Sequence, residues 1–102
     1  MYTLDVTAAA EGDLDRITDY IGERLANPPA ALALLDEIES VSDGIRTDPA
    51  LFPLCVDPRL AKLGYRKAVV RSYVMVYEID EAAEAVRVLR VFHSSEDYQR
   101  KL

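Results

Sequence analysis

The segment from Gly64 to His93, GYRKAVVRSYVMVYEIDEAAEAVRVLRVFH, constrains the fold of this 102-residue chain more than any other. It joins three runs, Tyr65 to Val70, Tyr73 to Ile79 and Val86 to Phe92, in which valine and tyrosine dominate. β-Branched and aromatic side chains pack well on a pleated surface and lose rotamer freedom in helices, so the runs read as three strands of a meander. A turn over Asp80 to Ala85 closes one hairpin. The other break falls at Arg71-Ser72, although neither residue is a strong turn former. In the middle run Tyr73, Met75, Tyr77 and Ile79 share one face, with Val74, Val76 and Glu78 on the other. Both faces are largely apolar, which asks for a central strand covered on both sides or one whose second face lines a groove.

Ahead of the meander, Tyr2 to Val6 reads as a short strand ended by Thr7, whose hydroxyl is placed to cap a helix. That helix runs from Ala8 to Ala26, with Leu14, Ile17, Ile21 and Leu25 on one apolar face and Tyr20 beside it. Glu11, Asp13 and Asp15 fall in its early turns, where carboxylates favour the positive end of the helix dipole. Asn27-Pro28-Pro29 stops it and starts a second helix, Pro28 to Ile45, whose apolar face is Ala31, Leu34, Leu35, Ile38, Val41 and Ile45. So short a link makes the two helices antiparallel neighbours. The acids Asp36, Glu37, Glu39 and Asp43 then form a solvated outer face. Thr47 to Leu63 contains three prolines and reads as an ordered loop pinned by Leu51, Phe52, Leu54 and Val56. Ser94 to Leu102 reads as a short C-terminal helix. The order specifies an α+β domain over residues 1–102: an N-terminal strand and an antiparallel helix hairpin packed on one face of a mostly antiparallel four-stranded sheet. The other face of the sheet is expected to stay open.

The totals narrow the function. Half the residues are hydrophobic, as a folded domain needs, and the single cysteine, Cys55, cannot form an internal disulfide. One histidine and one cysteine are too few for a conventional zinc site, and the four glycines are scattered instead of forming a phosphate loop, so no cofactor is expected. No leader-like N-terminus or membrane-spanning run is present, and the expected location is cytoplasmic. The net charge of −6 hides an asymmetry: residues 1 to 48 hold 11 acids and three bases, residues 49 to 102 seven acids and nine bases. Between Arg59 and Tyr77 lie Arg59, Lys62, Arg66, Lys67 and Arg71 and no acid, a local positive field suited to phosphate or an acidic partner. The same charges read equally well as a solvated counterweight to the acidic helices.

Four elements in this order carry a family likeness: DLDRITDYI (Asp13 to Ile21), LANPPAALALLDEI (Leu25 to Ile38), GYRKAVVRSYVMVYEID (Gly64 to Asp80) and VRVLRVFHSSEDY (Val86 to Tyr98). Through them the chain resembles the RelE/ParE superfamily of bacterial toxins from type II toxin–antitoxin pairs, over nearly everything from Tyr2 to Leu102. The resemblance implies a small growth-inhibiting toxin wrapped by a cognate antitoxin through an extended or helical segment. It implies one of two activities: RelE-like members cleave messenger RNA in the ribosomal A site, and ParE-like members poison DNA gyrase without doing chemistry themselves.

Metal-free RNA cleavage needs groups that activate the ribose 2′-OH, stabilise the phosphorane-like state and protonate the leaving oxygen. By resemblance, Arg66 matches a basic, phosphate-holding position, and His93 and Tyr98 lie where proton-moving groups are expected. The chain departs from the cleaving pattern at Ala68 and Val74, where bases are usual, and at Ser94-Ser95-Glu96, which replaces a basic pair. These departures tilt the reading towards the non-enzymatic, gyrase-directed class, with a reduced endonuclease as the alternative. The expected surface for antitoxin or phosphate comprises Arg66, Lys67, Arg71 and Arg90 with an apolar strip, Val74 and Val76. Arg90 alternates in phase with Val86, Val88 and Phe92 and reads either as half of an internal ion pair or as a phosphate ligand.

Overall fold

A computed structural model describes all residues from Met1 to Leu102. The meander forms strands β2 (Arg66–Val70), β3 (Tyr73–Asp80) and β4 (Ala85–His93), each antiparallel to the next. Strand β1 (Thr3–Val6) returns parallel to β4, so the sheet order is β1-β4-β3-β2. Val70 pairs with Tyr73 across a two-residue turn in which Arg71 adopts φ 54. A left-handed conformation costs an L-residue roughly 1–2 kcal/mol. Here it is held by an ion pair from Arg71 to Glu37. The other hairpin is tighter than the sequence suggests, because Asp80 and Ala85 themselves pair and Glu84 takes the left-handed position, φ 50.

Helix α1 (Ala8–Asp19) starts where the Thr7 hydroxyl accepts the Ala10 N–H at 3.1 Å. It runs into a single π turn, Tyr20–Arg24, before Asn27 caps α2 (Pro28–Thr47), with Pro28 at its first position. The hairpin buries Ala10, Ile21, Leu34, Ile38 and Ile45 against Ala68, Val70, Met75, Tyr77, Val86 and Val88 of the sheet. Leu25, expected on that apolar face, is 55% exposed instead. The π turn takes more residues per revolution than an α turn and rotates the following position out of phase. Leu35 lies at the edge of its stripe and is likewise exposed.

The second face of the sheet is closed, contrary to expectation. Val74, Val76 and Phe92 pack there against Cys55, Leu60 and Tyr98. The cover is the segment between α2 and β2 together with the C-terminal residues. Leu54 bridges to Arg66 in antiparallel fashion, and strand alternation then turns Cys55 inward and leaves Leu54 and Val56 exposed. A short helix α3 (Pro58–Lys62), capped by Asp57, delivers Leu60 to the sheet. It ends in a Schellman pair, Tyr65 N–H to the Leu60 carbonyl and Gly64 N–H to the Ala61 carbonyl, which uses the φ of 82 that Gly64 adopts without strain. The Tyr77 hydroxyl donates to the Pro49 carbonyl at 2.8 Å and ties down the start of the same segment. At the C-terminus the helix is a single 3-10 turn, Tyr98–Lys101, because Glu96 is drawn back to the His93 N–H and to Lys101 and Asp97 makes no side-chain cap.

Leu60 is fully buried in this cover, so Leu60→Ala is expected to cost about 2–5 kcal/mol, the range for core leucine truncation. Chemical denaturation checks it: a loss below about 0.5 kcal/mol, the size of an ordinary surface substitution, would show the segment to be a loose tether.

Candidate functional site

Strand β4 outlasts its neighbour. β1 pairs only with Ala85 to Val88, so the outer edge of β4 from Leu89 to His93 has no strand beside it. Backbone polar groups sheltered from water need partners, and side chains supply them. The Thr7 hydroxyl donates to the Leu89 carbonyl at 2.9 Å, Asp13 accepts the Val91 N–H at 2.9 Å, and Glu96 accepts the His93 N–H at 2.9 Å. Asp13 is 4% exposed and also receives Arg90 through Nε at 2.8 Å and Nη2 at 3.0 Å, with Arg16 on the same carboxylate. Burial pushes its carboxyl up, but the bonds from Arg90 and the Val91 N–H and the charges of Arg90 and Arg16 outweigh it, and the group titrates below the ordinary aspartate value.

A β-bulge brings Arg90 to this edge. Val76 pairs with Arg90 while Tyr77 pairs with Val88, so Leu89 is an extra residue and the facing pattern of β4 flips there. Arg90 and Phe92 therefore share the second face with Val76 and Val74, not the face of Val86 and Val88, which corrects the phase read from uninterrupted alternation. The Arg90 guanidinium lies 4.7 Å from the centre of the Phe92 ring and reaches Asp13 past the open strand edge.

A cavity of about 480 Å³ sits at this edge, between α1, the end of β4 and the C-terminal residues. Its cations are already matched: Arg16 and Arg90 meet Asp13, and Lys101 meets Glu96 at 2.9 Å. His93 lies on its rim, edge-on to Tyr73 with ring centres 5.3 Å apart. The Ser95 backbone N–H donates to His93 Nδ1 at 3.1 Å. A backbone amide only donates, so Nδ1 must accept, and in the neutral ring the proton resides on Nε2. The remaining nitrogen is then a hydrogen-bond donor and not a base.

The other sequence candidates do not join it. Arg66 pairs with Tyr77, at the end of β2 remote from His93, and donates through Nη1 to the Phe52 carbonyl at 2.8 Å. Four residues of strand rise and two strand spacings separate Arg66 from His93, roughly 16 Å. Tyr98 is buried and stacks on Phe92 with ring centres 5.9 Å apart. Lys67 lies on the second face opposite Val76, and Arg71 is held in the hairpin turn by Glu37. Val74 and Val76, expected as an exposed apolar strip, are 4% and 0% exposed beneath the chain's own cover. The sequence reading also missed the centre of the cleft, taking Asp13 as a helix-dipole carboxylate. Its position three residues after Ala10 and four before Ile17 places it on the buried stripe of α1, where an acid needs a cationic partner.

The sequence from residue 4 to residue 98 matches the family described as the ParE toxin of the type II toxin–antitoxin system parDE. The chain belongs to that family. No curated protein sequence matches it significantly. Among solved structures it is similar to the chromosomal ParDE system of P. aeruginosa, with TM-score 0.71 and 20% identity over 91% of this chain and 96% of that one. It is similar to the RelBE2 toxin–antitoxin complex of Mycobacterium tuberculosis, with TM-score 0.63 and 25% identity over 90% and 96% of the two chains. The intact RelBE complex of E. coli gives TM-score 0.63 and 17% identity over 94% and 100%. The α+β architecture is thus that of RelE/ParE-like toxins. In this toxin no helix is long and apolar enough to cross a membrane.

The Asp13 carboxylate carries a pH dependence of known sign. Its folded value is lowered, so its stabilisation is fully present above the ordinary aspartate pKa, about 3.9, and is lost as pH falls through the lower folded value. Asp13→Asn keeps an acceptor for the Val91 N–H but loses the charge opposite Arg90, and is expected to cost about 2–3 kcal/mol at neutral pH, the size of hydrogen bonds to a charged group. Denaturation from pH 7 to pH 3 should show a shallower acid dependence in the variant than in the wild type. Equal slopes would assign the acid sensitivity elsewhere.

Proposed function

We propose that this type II toxin arrests growth by binding DNA gyrase, without chemistry of its own, and is neutralised by a cognate antitoxin in the cytoplasm. The observation that supports this reading is the dispersal of the groups an RNA-cleaving toxin would need. General acid, general base and phosphate-holding cation must converge within hydrogen-bond reach of one phosphate. Here Arg66 lies two strands and four residues away from His93, Tyr98 is buried against Phe92, and Nε2 of the neutral His93 ring carries the proton. The match to the ParE family over residues 4–98 points the same way.

A RelE-like endonuclease is the second reading, favoured by one feature: His93 shares its cleft with Arg16, Arg90 and Lys101, and the fold is also similar to RelBE complexes. Inducing the toxin and measuring gyrase supercoiling beside messenger cleavage on ribosomes separates the two. The expected result is inhibited supercoiling with intact messenger, unchanged in His93→Ala. Cleavage that falls about 10²-fold or more in His93→Ala or Arg90→Ala, the size of losing an acid, a base or an oxyanion partner, would establish the enzyme instead. An antitoxin reading frame is expected beside the toxin's own, and harmless expression of the toxin alone would count against both readings.

A further inference from the structure

The two faces of the sheet are covered by layers of different charge. Helices α1 and α2 and the π turn between them cover the first face and hold nine acids against three bases. Seven of the twelve basic residues sit in ion pairs within the chain. Of the other five, Arg24 lies on the π turn, and Arg66 shares the helix-facing side of β2 with Ala68 and Val70. The remaining three, Arg59, Lys62 and Lys67, belong to the second face. Arg59 and Lys62 stand on α3, which turns Leu60 onto Val74 and Val76 and leaves both cations exposed. Three residues apart on a helix, they are neighbours, about 5–6 Å between Cβ atoms. Lys67 lies opposite Val76 on β2. Burial pushes the Cys55 thiol up and the charge of Lys67 opposes it, which sets Lys67 against the same buried cluster. Only Leu63 to Arg66 separate Lys62 from Lys67, a span of at most about 18 Å, and the Tyr65 N–H to Leu60 carbonyl bond holds that connection folded.

The acids of the covering segments are engaged elsewhere. Asp57 caps α3 through the Arg59 and Leu60 N–H groups, Glu96 holds Lys101 and the His93 N–H, and Asp97 pairs with Arg100. Arg59 meets only a carbonyl, that of Gln99, so its charge stays unmatched. The one cavity of the chain is the β4 cleft, which none of these three cations lines, so no pocket between them grips a partner's side chain. A regularly charged polymer needs no such pocket. Duplex DNA carries a phosphate every ~3.4 Å along each strand, and the three cations fall within one duplex turn, about 34 Å. The acidic helix layer is repelled by the same polyanion, so the second face is the one turned towards it.

We infer that the second-face layer is a phosphate-backbone surface: when the toxin occupies its target, Arg59, Lys62 and Lys67 lie against the DNA that gyrase holds. The inference rests on the gyrase reading above and adds the nucleic acid as a second component of the bound target. With a net charge of −6 the free toxin is a poor ligand for duplex DNA. Gyrase supplies the missing attraction and fixes the orientation in which only the cationic face meets phosphate.

Titration of full-length toxin into gyrase, with and without a bound linear duplex, tests it over a range of salt. The duplex is expected to tighten toxin binding, and that gain to fall about 40-fold between 50 and 200 mM salt, the slope for three neutralised phosphates. Lys62→Gln with Lys67→Gln leaves one contact, so the same change of salt should alter the gain only about 3.5-fold, while binding to DNA-free gyrase stays as in the wild type. Equal affinity for gyrase with and without duplex overturns the inference and leaves the gyrase reading intact. Weakened binding of the double variant to DNA-free gyrase assigns the cations to the enzyme itself and overturns it too. An unchanged DNA-dependent gain in the double variant, with weakened binding of the antitoxin, gives the cations to that partner and also overturns it. No binding to gyrase in either form sinks the gyrase reading, and this surface with it. The salt slope is read on wild-type protein, so it decides the matter even if the double variant fails to fold.

Discussion

The Asp13 carboxylate joins the first helix to the last strand, and much of the architecture depends on that junction. A strand that outlives its neighbour presents unsatisfied N–H and carbonyl groups, and in a small domain these either find side chains or invite another chain. Asp13 accepts the Val91 N–H and draws Arg90 and Arg16 onto the same two oxygens. The helix is thereby docked at one axial position along β4, and Thr7, which caps that helix and bonds to β4 through both its N–H and its hydroxyl, fixes its start. Two residues six apart on one element thus set the register of helix on sheet.

The bulge at Leu89 makes the arrangement possible. Without it Arg90 would enter the helix-facing core among Val86 and Val88, where a guanidinium would displace apolar contacts. With it the side chain emerges on the second face, rests on Phe92 and reaches the edge. The same flip places Phe92 beneath Tyr98, so one extra residue organises both the ion pair and the stack that holds the C-terminal turn. Bulges recur at strand edges for this reason: they re-aim a side chain at the cost of one ladder position.

Most of the framework was legible in the sequence because it depends on local chemistry. The β-branched runs, the Thr7 and Asn27 caps and the Pro28 start each act within a few residues, and each stands where the pattern put it. What the sequence hid depends on long-range geometry. The closure of the second face rests on Leu60 and Cys55, whose inward orientation follows from the bridge between Leu54 and Arg66, a contact with no local signature. The phase of Arg90 depends on a bulge that no residue type announces. For the candidate site, the sequence named groups of suitable chemistry, Arg66, His93 and Tyr98, but their separation is a matter of strand order and direction, which composition does not encode. Asp13 alone was recoverable, since an acid on the apolar stripe of an amphipathic helix demands a buried partner.

The distribution of charge separates two ways in which a small protein can act on a nucleic-acid machine. Catalysis on a phosphodiester needs cations that are unmatched in the resting protein and held at one point, because a cation already neutralised by its own chain contributes little to a developing negative charge. In the β4 cleft Arg16, Arg90 and Lys101 each have a carboxylate, and the only histidine, when neutral, accepts the Ser95 N–H at Nδ1. The cations without a carboxylate partner lie elsewhere, Arg24 on the π turn, Arg59 and Lys62 on α3 and Arg66 and Lys67 at the start of β2, with Leu63 and Val69 exposed among the last four. Spread charge next to apolar surface favours association with a large partner by steering and burial, and it orients no single phosphate for attack.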